Sequence, residues 1–477
     1  MTSPLPPQTP SPPGPFGPRY RALSLGVLLM VLLIAFESLA VATVLPVVAR
    51  DLGGRELYGW AFSGFLLTNV VGTVTAGRVA DQRGSVLPLL VGLALFALGL
   101  LVAGFAGSMA VLIVGRVLQG LGGGALMALA YVMIGRAYPE TMRARMLALL
   151  SSAWVLPALV GPAVAGVLTD ALGWRSVFLL LLPLVAVAAT LTLPALRRLP
   201  AAGGRVDGGP IRDAILLATG SALLLSALTL VSRNPWGALA LALPGVALMA
   251  WTARRVFPAG TLRARSGLGA GIAVRGLLAW GFFGAEAFLP LGLGELRGLT
   301  PTQAGLTLTL GALLWSLGSW TQARLDGRDR GYGRRRRVQL GMGLVLCAII
   351  LAALTVVWTA LPVWAGALAW AIGGFGMGLA FPTNTLIVMD SAPPEQVGSV
   401  SGALQTADVL CSALSAGLGG ALLALAAAQG WSEANGLALA FGGALLGGLL
   451  GPLAASRLPA RPLSGNRAEP ESVTAAH

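Results

Sequence analysis

The sequence predicts an all-α protein that crosses a membrane many times, and three observations support this. The 477-residue chain is 56% hydrophobic and only 10% charged, whereas soluble domains carry about 25% charged residues. Its apolar residues lie in continuous runs of roughly 20 residues, which is the length that crosses a bilayer core about 30 Å thick. The runs do not alternate between apolar and polar residues, so they do not suit the strands of a transmembrane barrel.

Fourteen such spans follow one another along the chain. They lie near 22–48, 57–77, 86–106, 108–134, 146–169, 175–195, 212–232, 236–256, 268–293, 302–322, 338–358, 362–389, 398–427 and 434–456. An even number of spans places both termini on the same side of the membrane.

The distribution of arginine predicts which side that is. All 32 basic residues are arginine, and most lie in the loops on the side of the termini, including the run Arg334 to Arg337. The other loops hold only Arg50, Arg55, Arg175, Arg233 and Arg297. The positive-inside rule therefore predicts cytoplasmic termini and a multi-pass protein of the cell (inner or plasma) membrane. We interpret the net charge of +14 as anchoring beside anionic lipid, so the bilayer is an expected partner and nucleic acid is not.

The spans predict five parts. These are a disordered Pro-rich tail (1–18), a six-helix bundle (19–200), a linker with two extra transmembrane helices (201–266), a second six-helix bundle (267–457) and a disordered tail (458–477). The first tail lacks the basic start and short apolar core of a signal peptide. Glycine-rich and arginine-rich flanks mark the inserted pair.

A charged stretch bounded by glycines, Gly77-Arg-Val-Ala-Asp-Gln-Arg-Gly84, joins the second and third spans. It resembles the loop signature of the major facilitator superfamily, G-x-x-x-D-x-x-G followed by basic residues. Gly77, Asp81, Arg83 and Gly84 match, whereas Ser85 and Val86 replace the basic pair. The resemblance implies a cytoplasmic gate, in which we expect Asp81 to pair across the loop and face a helix N-terminus. A generic hydrophilic turn is the alternative.

Two further stretches carry the same resemblance. Arg116-Val-Leu-Gln-Gly-Leu-Gly122 in the fourth span resembles the superfamily pattern R-x-x-Q-G-x-G. In the fifth span, Pro157-Ala-Leu-Val-Gly-Pro-Ala-Val-Ala-Gly166 resembles the antiporter signature G-x-x-x-G-P-x-x-G-G. Gly161, Pro162 and Gly166 match there, while Pro157 and Ala165 stand in place of glycines. In the family this motif accompanies export; a small-residue packing face is the alternative.

The six-plus-two-plus-six arrangement resembles the fourteen-span drug:proton antiporter branch of the superfamily. That resemblance implies the major facilitator fold, with two six-helix bundles plus two inserted linker helices around a central cavity.

Acidic residues inside spans are the candidate site, because charge in a bilayer is costly without a partner or a task. Counting 1.5 Å per residue places Glu37 of the first span and Arg116 of the fourth at similar depth in the same half. We interpret Glu37 as a proton or cationic-substrate site and Arg116 as its modulator, as an acid in the first span is in related proton-driven exporters. A static ion pair is the alternative.

In the second half, Glu286 lies on nearly the same helical face as Arg275 and is flanked by Trp280, Phe282 and Phe283. An acid beside aromatic rings suits a lipophilic cation; a core pair with aromatic filler is the alternative.

The thirteenth span carries a polar stripe on one helical face. Its members are Ser401, Gln405, Asp408, Ser412 and Ser415. We expect the stripe to line the transport path, with hydrogen bonding between helices as the alternative. Asn69 and Asn384 are weaker candidates of the same kind.

The residues together predict a secondary transporter that exports hydrophobic or cationic small molecules in exchange for protons, acting as a monomer by alternating access. We find no Walker loop, metal-ligand cluster or nucleophile with a base, so we expect no catalytic residues, metal or cofactor. One alternative is an exporter of a specific lipid or metabolite, or a proton symporter for a nutrient, on the same fold. Another is a membrane receptor or scaffold that does not transport.

Overall fold

The structure, a computed structural model, describes residues 14–197, 208–329, 331–393 and 396–460. Most of the two predicted tails and positions 201–207 of the predicted linker lie outside these ranges. Within them the chain is helical and contains no strand.

The helices follow one another in the order of the predicted spans. They are α1 (Arg21–Leu52), α2 (Tyr58–Arg83), α3 (Val86–Gly104), α4 (Met109–Ala137), α5 (Glu140–Ser152), α6 (Val155–Leu172), α7 (Arg175–Leu179), α8 (Leu181–Leu196), α9 (Gly209–Leu230), α10 (Pro235–Val256), α11 (Leu268–Glu286), α12 (Leu289–Glu295), α13 (Pro301–Asp329), α14 (Arg334–Val357), α15 (Trp364–Ser391), α16 (Val397–Ala428) and α17 (Glu433–Ala455).

Thirteen helical segments of the described chain are long and apolar enough to cross a membrane. The prediction of a helical, multi-pass membrane protein is therefore confirmed. The predicted tenth span, 302–322, lies in the 29-residue helix α13, which is not among the thirteen. Threonine, serine and glutamine recur along α13 and lower its hydropathy. The count of fourteen spans stays a prediction.

Three predicted spans are each divided into two helices. The fifth is divided into α5 and α6, the sixth into α7 and α8, and the ninth into α11 and α12. The break in the ninth span falls directly after Glu286. Because Pro290 has no N–H, the Glu286 carbonyl has no donor four residues ahead, and the α-helical ladder loses a hydrogen bond at this point.

The predicted loop Gly77–Gly84 is largely helical, which differs from the expectation from sequence. Helix α2 continues to Arg83, because nothing before Gly84 is incompatible with a helix. Gly84 then ends the helix with a φ of 81°, a conformation that favours glycine.

The helices before α9 form an N-terminal bundle and those after α10 a C-terminal bundle. Between the bundles, α6 packs against α13 and α2 packs against α16. Helix α9 of the inserted pair packs on both α2 and α16, and α10 packs against α9. Leu225 of α9 is buried against α16, where a side chain at Gly417 would strike it. The inserted pair thus covers one of the two seams between the bundles.

We call the bundle end that holds Tyr20 and Arg457 the terminal face and the other end the opposite face. Near the opposite face the two bundles approach to backbone contact. An added Cβ on Gly59 of α2 would lie 2.9 Å from the Cα of Gly420 of α16, and one on Gly166 of α6 would lie 2.7 Å from the Pro301 carbonyl oxygen of α13. Glycine is therefore required for this close approach.

Candidate functional site

The N-terminal bundle encloses an acid–base pair made by α1 and α4. The side chains of Glu37 and Arg116 are 1% and 2% exposed, and they form an ion pair. The Arg116 guanidinium also donates to the Ala61 carbonyl (3.0 Å) and to Oε1 of Gln119 (2.8 Å). It lies 4.3 Å from the centre of the Phe65 ring. Three helices therefore hold the guanidinium in one position.

The pair leaves polar atoms without partners. Oε2 of Glu37 and Nε2 of Gln119 are buried, and neither has a hydrogen-bond partner in the described chain. A carboxylate oxygen without a donor can take up a proton, and the resulting hydroxyl becomes a donor. Oε2 is therefore the carboxylate oxygen of Glu37 that Arg116 does not occupy.

Glycines on α4 bring Arg116 within reach of α2. A Cβ on Gly120 would strike the Phe65 carbonyl, and one on Gly124 would strike the carbonyl of Asn69. The glycines of the R-x-x-Q-G-x-G stretch thus allow the close packing that delivers Arg116 to Ala61. Asn69 is half-buried on α2 at this contact.

The C-terminal bundle carries an unpaired acid, Glu286, at the last residue of α11. Its side chain is half-buried, and the described part of the chain gives it neither an ion pair nor a hydrogen bond. The adjoining backbone break frees the next carbonyl, Ala287, which accepts a hydrogen bond from the Tyr58 hydroxyl (3.0 Å) of the other bundle.

Aromatic rings from three helices contact one another, and two of them, Phe282 and Phe283, precede Glu286 by about one turn on α11. Phe282 stacks on Trp370 with ring centres 4.8 Å apart, and Phe283 lies 6.1 Å from Trp315. Trp315 in turn contacts Phe381 at 5.4 Å. We call these five residues the aromatic cluster. Phe283 and Trp315 are half-buried, whereas the Phe381 ring is covered by the guanidinium of Arg275.

Arg275 lies on the same face of α11 as Glu286, and its side chain contacts α15. It donates to the Phe381 carbonyl (3.1 Å) and to the Thr385 hydroxyl (3.2 Å), and its guanidinium lies 3.4 Å from the centre of the Phe381 ring. Asp408 of α16 lies within electrostatic range of Arg275. Oδ1 of Asp408 is buried without a hydrogen-bond partner in the described chain.

The polar stripe of α16 becomes steadily less exposed along the helix. Ser401 and Gln405 are exposed near the terminal face, Asp408 is half-buried, and Ser412 and Ser415 are buried. The exposure of the stripe therefore decreases from the terminal face towards the interior of the protein.

Two other candidates lie between helices. The Trp280 indole donates to the Gly443 carbonyl of α17 (2.9 Å). The amide of Asn384 is fully buried and donates to the Gly271 carbonyl of α11 (2.9 Å). Both side chains join helices within the C-terminal bundle.

The gate-like stretch is placed differently from the expectation. Asp81 pairs with Arg136 of α4 (2.8 Å) rather than across its own loop, because it lies on the last turns of α2 beside α4. Arg136 also donates to the Ala80 carbonyl (3.0 Å). Arg83 is exposed, and a side chain at Gly77 would meet nothing within 4 Å.

The fifth-span motif lies where the bundles meet. Pro157 is buried, and a Cβ on Gly161 would contact the Phe36 ring at 3.5 Å. At Pro162 the carbonyl faces Gly305 of α13, and Gly166 packs on the first residues of α13. The motif therefore forms the α6 side of the contact between bundles.

The C-terminal bundle has its own ionic contact at the terminal face, where the sequence repeats Asp and Arg near glycine. Arg334 lies between Asp326 (2.7 Å) and Asp390 (2.5 Å). The hydrogen bond from Arg334 lowers the pKa of Asp326, which keeps that carboxyl ionised.

Sequence reasoning missed several of these partners. Tyr58, Trp315, Phe381 and Arg136 carry no motif, and only their aromatic or cationic character beside a predicted span could have indicated them. In the described residues, no group of three or more His, Cys, Asp or Glu is placed to hold a metal ion.

Comparison with known proteins gives consistent matches along the chain. The sequence model of the Major Facilitator Superfamily matches residues 27–416. A probable multidrug-efflux transporter of Mycobacterium tuberculosis is 30% identical over 446 residues, covering 89% of this chain and 92% of the relative. The methylenomycin A resistance protein of Streptomyces coelicolor is 28% identical and covers 94% and 93%.

Solved structures show the same fold. An auto-inhibited POT family peptide transporter aligns with a TM-score of 0.62 and 18% identity, covering 91% of this chain and 97% of its own. The human organic anion transporter MFSD10 aligns with a TM-score of 0.56, also at 18% identity, covering 90% and 99%.

Proposed function

Since the chain belongs to the Major Facilitator Superfamily and is a transporter of small molecules rather than an enzyme, we propose that it exports hydrophobic cations in exchange for protons. The names of its relatives support export: two of those compared above are a probable multidrug-efflux transporter and a methylenomycin A resistance protein. We further propose that the protein acts as a monomer with cytoplasmic termini, as the arginine distribution predicts.

The observation that carries the proposal is the contrast between the two membrane acids. Glu37 is buried and already paired with Arg116, so a cationic substrate would have to displace a guanidinium to reach it. Glu286 is half-buried, has no partner in the described chain, and follows Phe282 and Phe283 of the aromatic cluster by four and three residues on α11. Glu286 is therefore the acid for the organic cation, and Glu37 the acid for the proton.

The physical chemistry of Glu286 suits an apolar cation. Aromatic faces attract cations with about 0.5–2 kcal/mol per contact, depending on desolvation. An unpaired carboxylate in a poorly solvated site is itself costly, and a bound cation offsets that cost. A neutral compound gains only the contacts with the rings.

Proton exchange at Glu37 supplies the coupling. Protonation of the carboxylate removes the charge that Arg116 neutralises, and leaves the guanidinium with Gln119 and the Ala61 carbonyl. This changes the packing of α4 against α1 and α2, and so biases the two bundles between their alternative orientations. Asp408 and Gln405 line the route from the terminal face, as the stripe on α16 predicts.

The bundle contacts suit a state that opens to the cytoplasm. With the terminal face cytoplasmic, the contacts between α6 and α13 and between α2 and α16 close the outer end. At the terminal face, Asp81 pairs with Arg136 inside the N-terminal bundle, and Arg334 pairs with Asp326 and Asp390 inside the C-terminal bundle. In this state a cation enters from the cytoplasm, and separation of the outer contacts releases it outside.

Proteoliposome transport tests the division between the acids. We expect Glu286→Gln to weaken export of a lipophilic cation by tenfold or more, because the charge that offsets the cation is lost, and to spare a neutral compound of similar shape. The control is Glu56→Gln, which removes an exposed acid. Equal loss for the cation and the neutral compound would contradict the assignment of Glu286.

A further inference from the structure

Four charged side chains join the two bundles at the opposite face. Arg55 lies 2.8 Å from Glu295 and 2.7 Å from Glu433, and Arg50 lies 3.1 Å from Glu295. Both arginines belong to the N-terminal bundle and both acids to the C-terminal bundle. All three ion pairs therefore cross between bundles and break if the bundles separate at this face.

The backbone presents Arg55 to the other bundle. Gly53 and Gly54 both have positive φ (66° and 72°), which turns the chain sharply between α1 and α2. Tyr58, three residues after Arg55, crosses the same boundary to the Ala287 carbonyl. This short segment thus makes three polar contacts with the C-terminal bundle, two from Arg55 and one from Tyr58.

Helix α12 connects these contacts to the membrane interior. It begins three residues after Glu286 and ends at Glu295. Its first five residues are buried, so most of the helix packs against neighbouring helices. The break between α11 and α12, where the Glu286 carbonyl has no donor, gives this short helix a point about which it can turn.

We propose that Arg50, Arg55, Glu295 and Glu433 form an ionic lock that keeps the opposite face closed, and that α12 moves with the lock when it opens. The lock follows from the ion pairs alone. Its connection to Glu286 through α12 rests on the proposed function.

The lock is tested by distance measurement without any substrate. In a background where Cys347 and Cys411, the two cysteines of the chain, are alanine, spin labels are placed at Phe105 and Thr359. These exposed positions lie at the opposite face, one on each bundle. Two exposed ion pairs contribute up to about 2 kcal/mol together, so Arg55→Gln is expected to raise the open-to-closed ratio several-fold, up to about thirtyfold.

A matched control is available at the same face. Arg175 is 45% exposed, much as Arg55 is 44% exposed, but it pairs with Asp51 inside the N-terminal bundle. Arg175→Gln is therefore expected to leave the distance distribution unchanged. Reversal of all four charges of the lock is expected to restore closure in a protein where reversal of the two arginines alone opens it.

The outcomes separate the lock from the transport proposal. An unchanged ratio in Arg55→Gln, or equal opening in Arg175→Gln, overturns the lock and leaves the roles of Glu37 and Glu286 untouched. Opening in Arg55→Gln with rescue by the four-charge reversal supports the lock, whatever compound the protein carries. If a lipophilic cation changes the distance between the same labels and Glu286→Gln abolishes that change, the connection through α12 is supported. A change that persists in Glu286→Gln contradicts it.

Discussion

Replacing Gly305 of α13 by alanine should open the opposite face. The added Cβ would lie 2.7 Å from the carbonyl carbon of Pro162 and would strike its oxygen, both belonging to the backbone of α6. Overpacking of this kind costs about 1–3 kcal/mol. Since the contact joins the two bundles, the cost falls on the closed state. The open-to-closed ratio should therefore rise by about fivefold to 160-fold.

The measurement uses the spin labels at Phe105 and Thr359, with Gly327→Ala as control. Gly327 lies on the same helix, and a Cβ there meets nothing within 4 Å. The control carries the helix stabilisation of about 0.5–1 kcal/mol that any Gly→Ala change brings. If Gly305→Ala and Gly327→Ala give the same distance distribution, the α6–α13 contact does not hold the bundles together.

Three further substitutions test single contacts. Arg116→Lys keeps the charge but loses the planar guanidinium that contacts Glu37, Gln119 and the Ala61 carbonyl. We therefore expect proton-coupled flux in liposomes to fall at least tenfold. Flux at the wild-type level would contradict the role of the guanidinium. Tyr58→Phe removes one hydrogen bond worth about 0.5–1.5 kcal/mol and should raise the open-to-closed ratio about twofold to tenfold by the same spin labels. Pro290→Ala supplies an N–H for the Glu286 carbonyl and should reduce opening; an unchanged ratio would exclude the break as a hinge.

The fold class was predictable because it depends on local composition. Runs of apolar residues long enough to cross a bilayer identify spans one at a time, without knowledge of their neighbours. The same reasoning is weaker for α13, whose recurrent threonine and serine hydroxyls lower its hydropathy. The loop at Gly77–Gly84 was assigned from its charges, but charged residues do not end a helix, whereas Gly84 with its positive φ does.

The candidate site was only partly predictable, because its contacts depend on packing between distant helices. Counting residues from the ends of the spans places Glu37 and Arg116 at the same depth. It does not predict the contact of Arg116 with Ala61, because that contact depends on the glycines of α4, which allow α2 to pack closely. The aromatic cluster draws Trp315 and Phe381 from helices far along the chain from Phe283. Asp81 pairs with Arg136, which lies 55 residues away on α4. Residue spacing therefore predicts neither the aromatic cluster nor this ion pair.

The most direct test of proton-coupled antiport is a proton-flux measurement in liposomes. The wild-type protein is reconstituted with an internal pH dye under an imposed proton gradient, a lipophilic cation is added, and quenching of tryptophan fluorescence reports binding of the cation. We predict a substrate-dependent proton flux that disappears in Glu37→Gln, while this variant still binds the cation and Glu56→Gln retains the flux. Normal substrate-dependent proton flux in Glu37→Gln would contradict the account and leave Glu37 as a structural partner of Arg116.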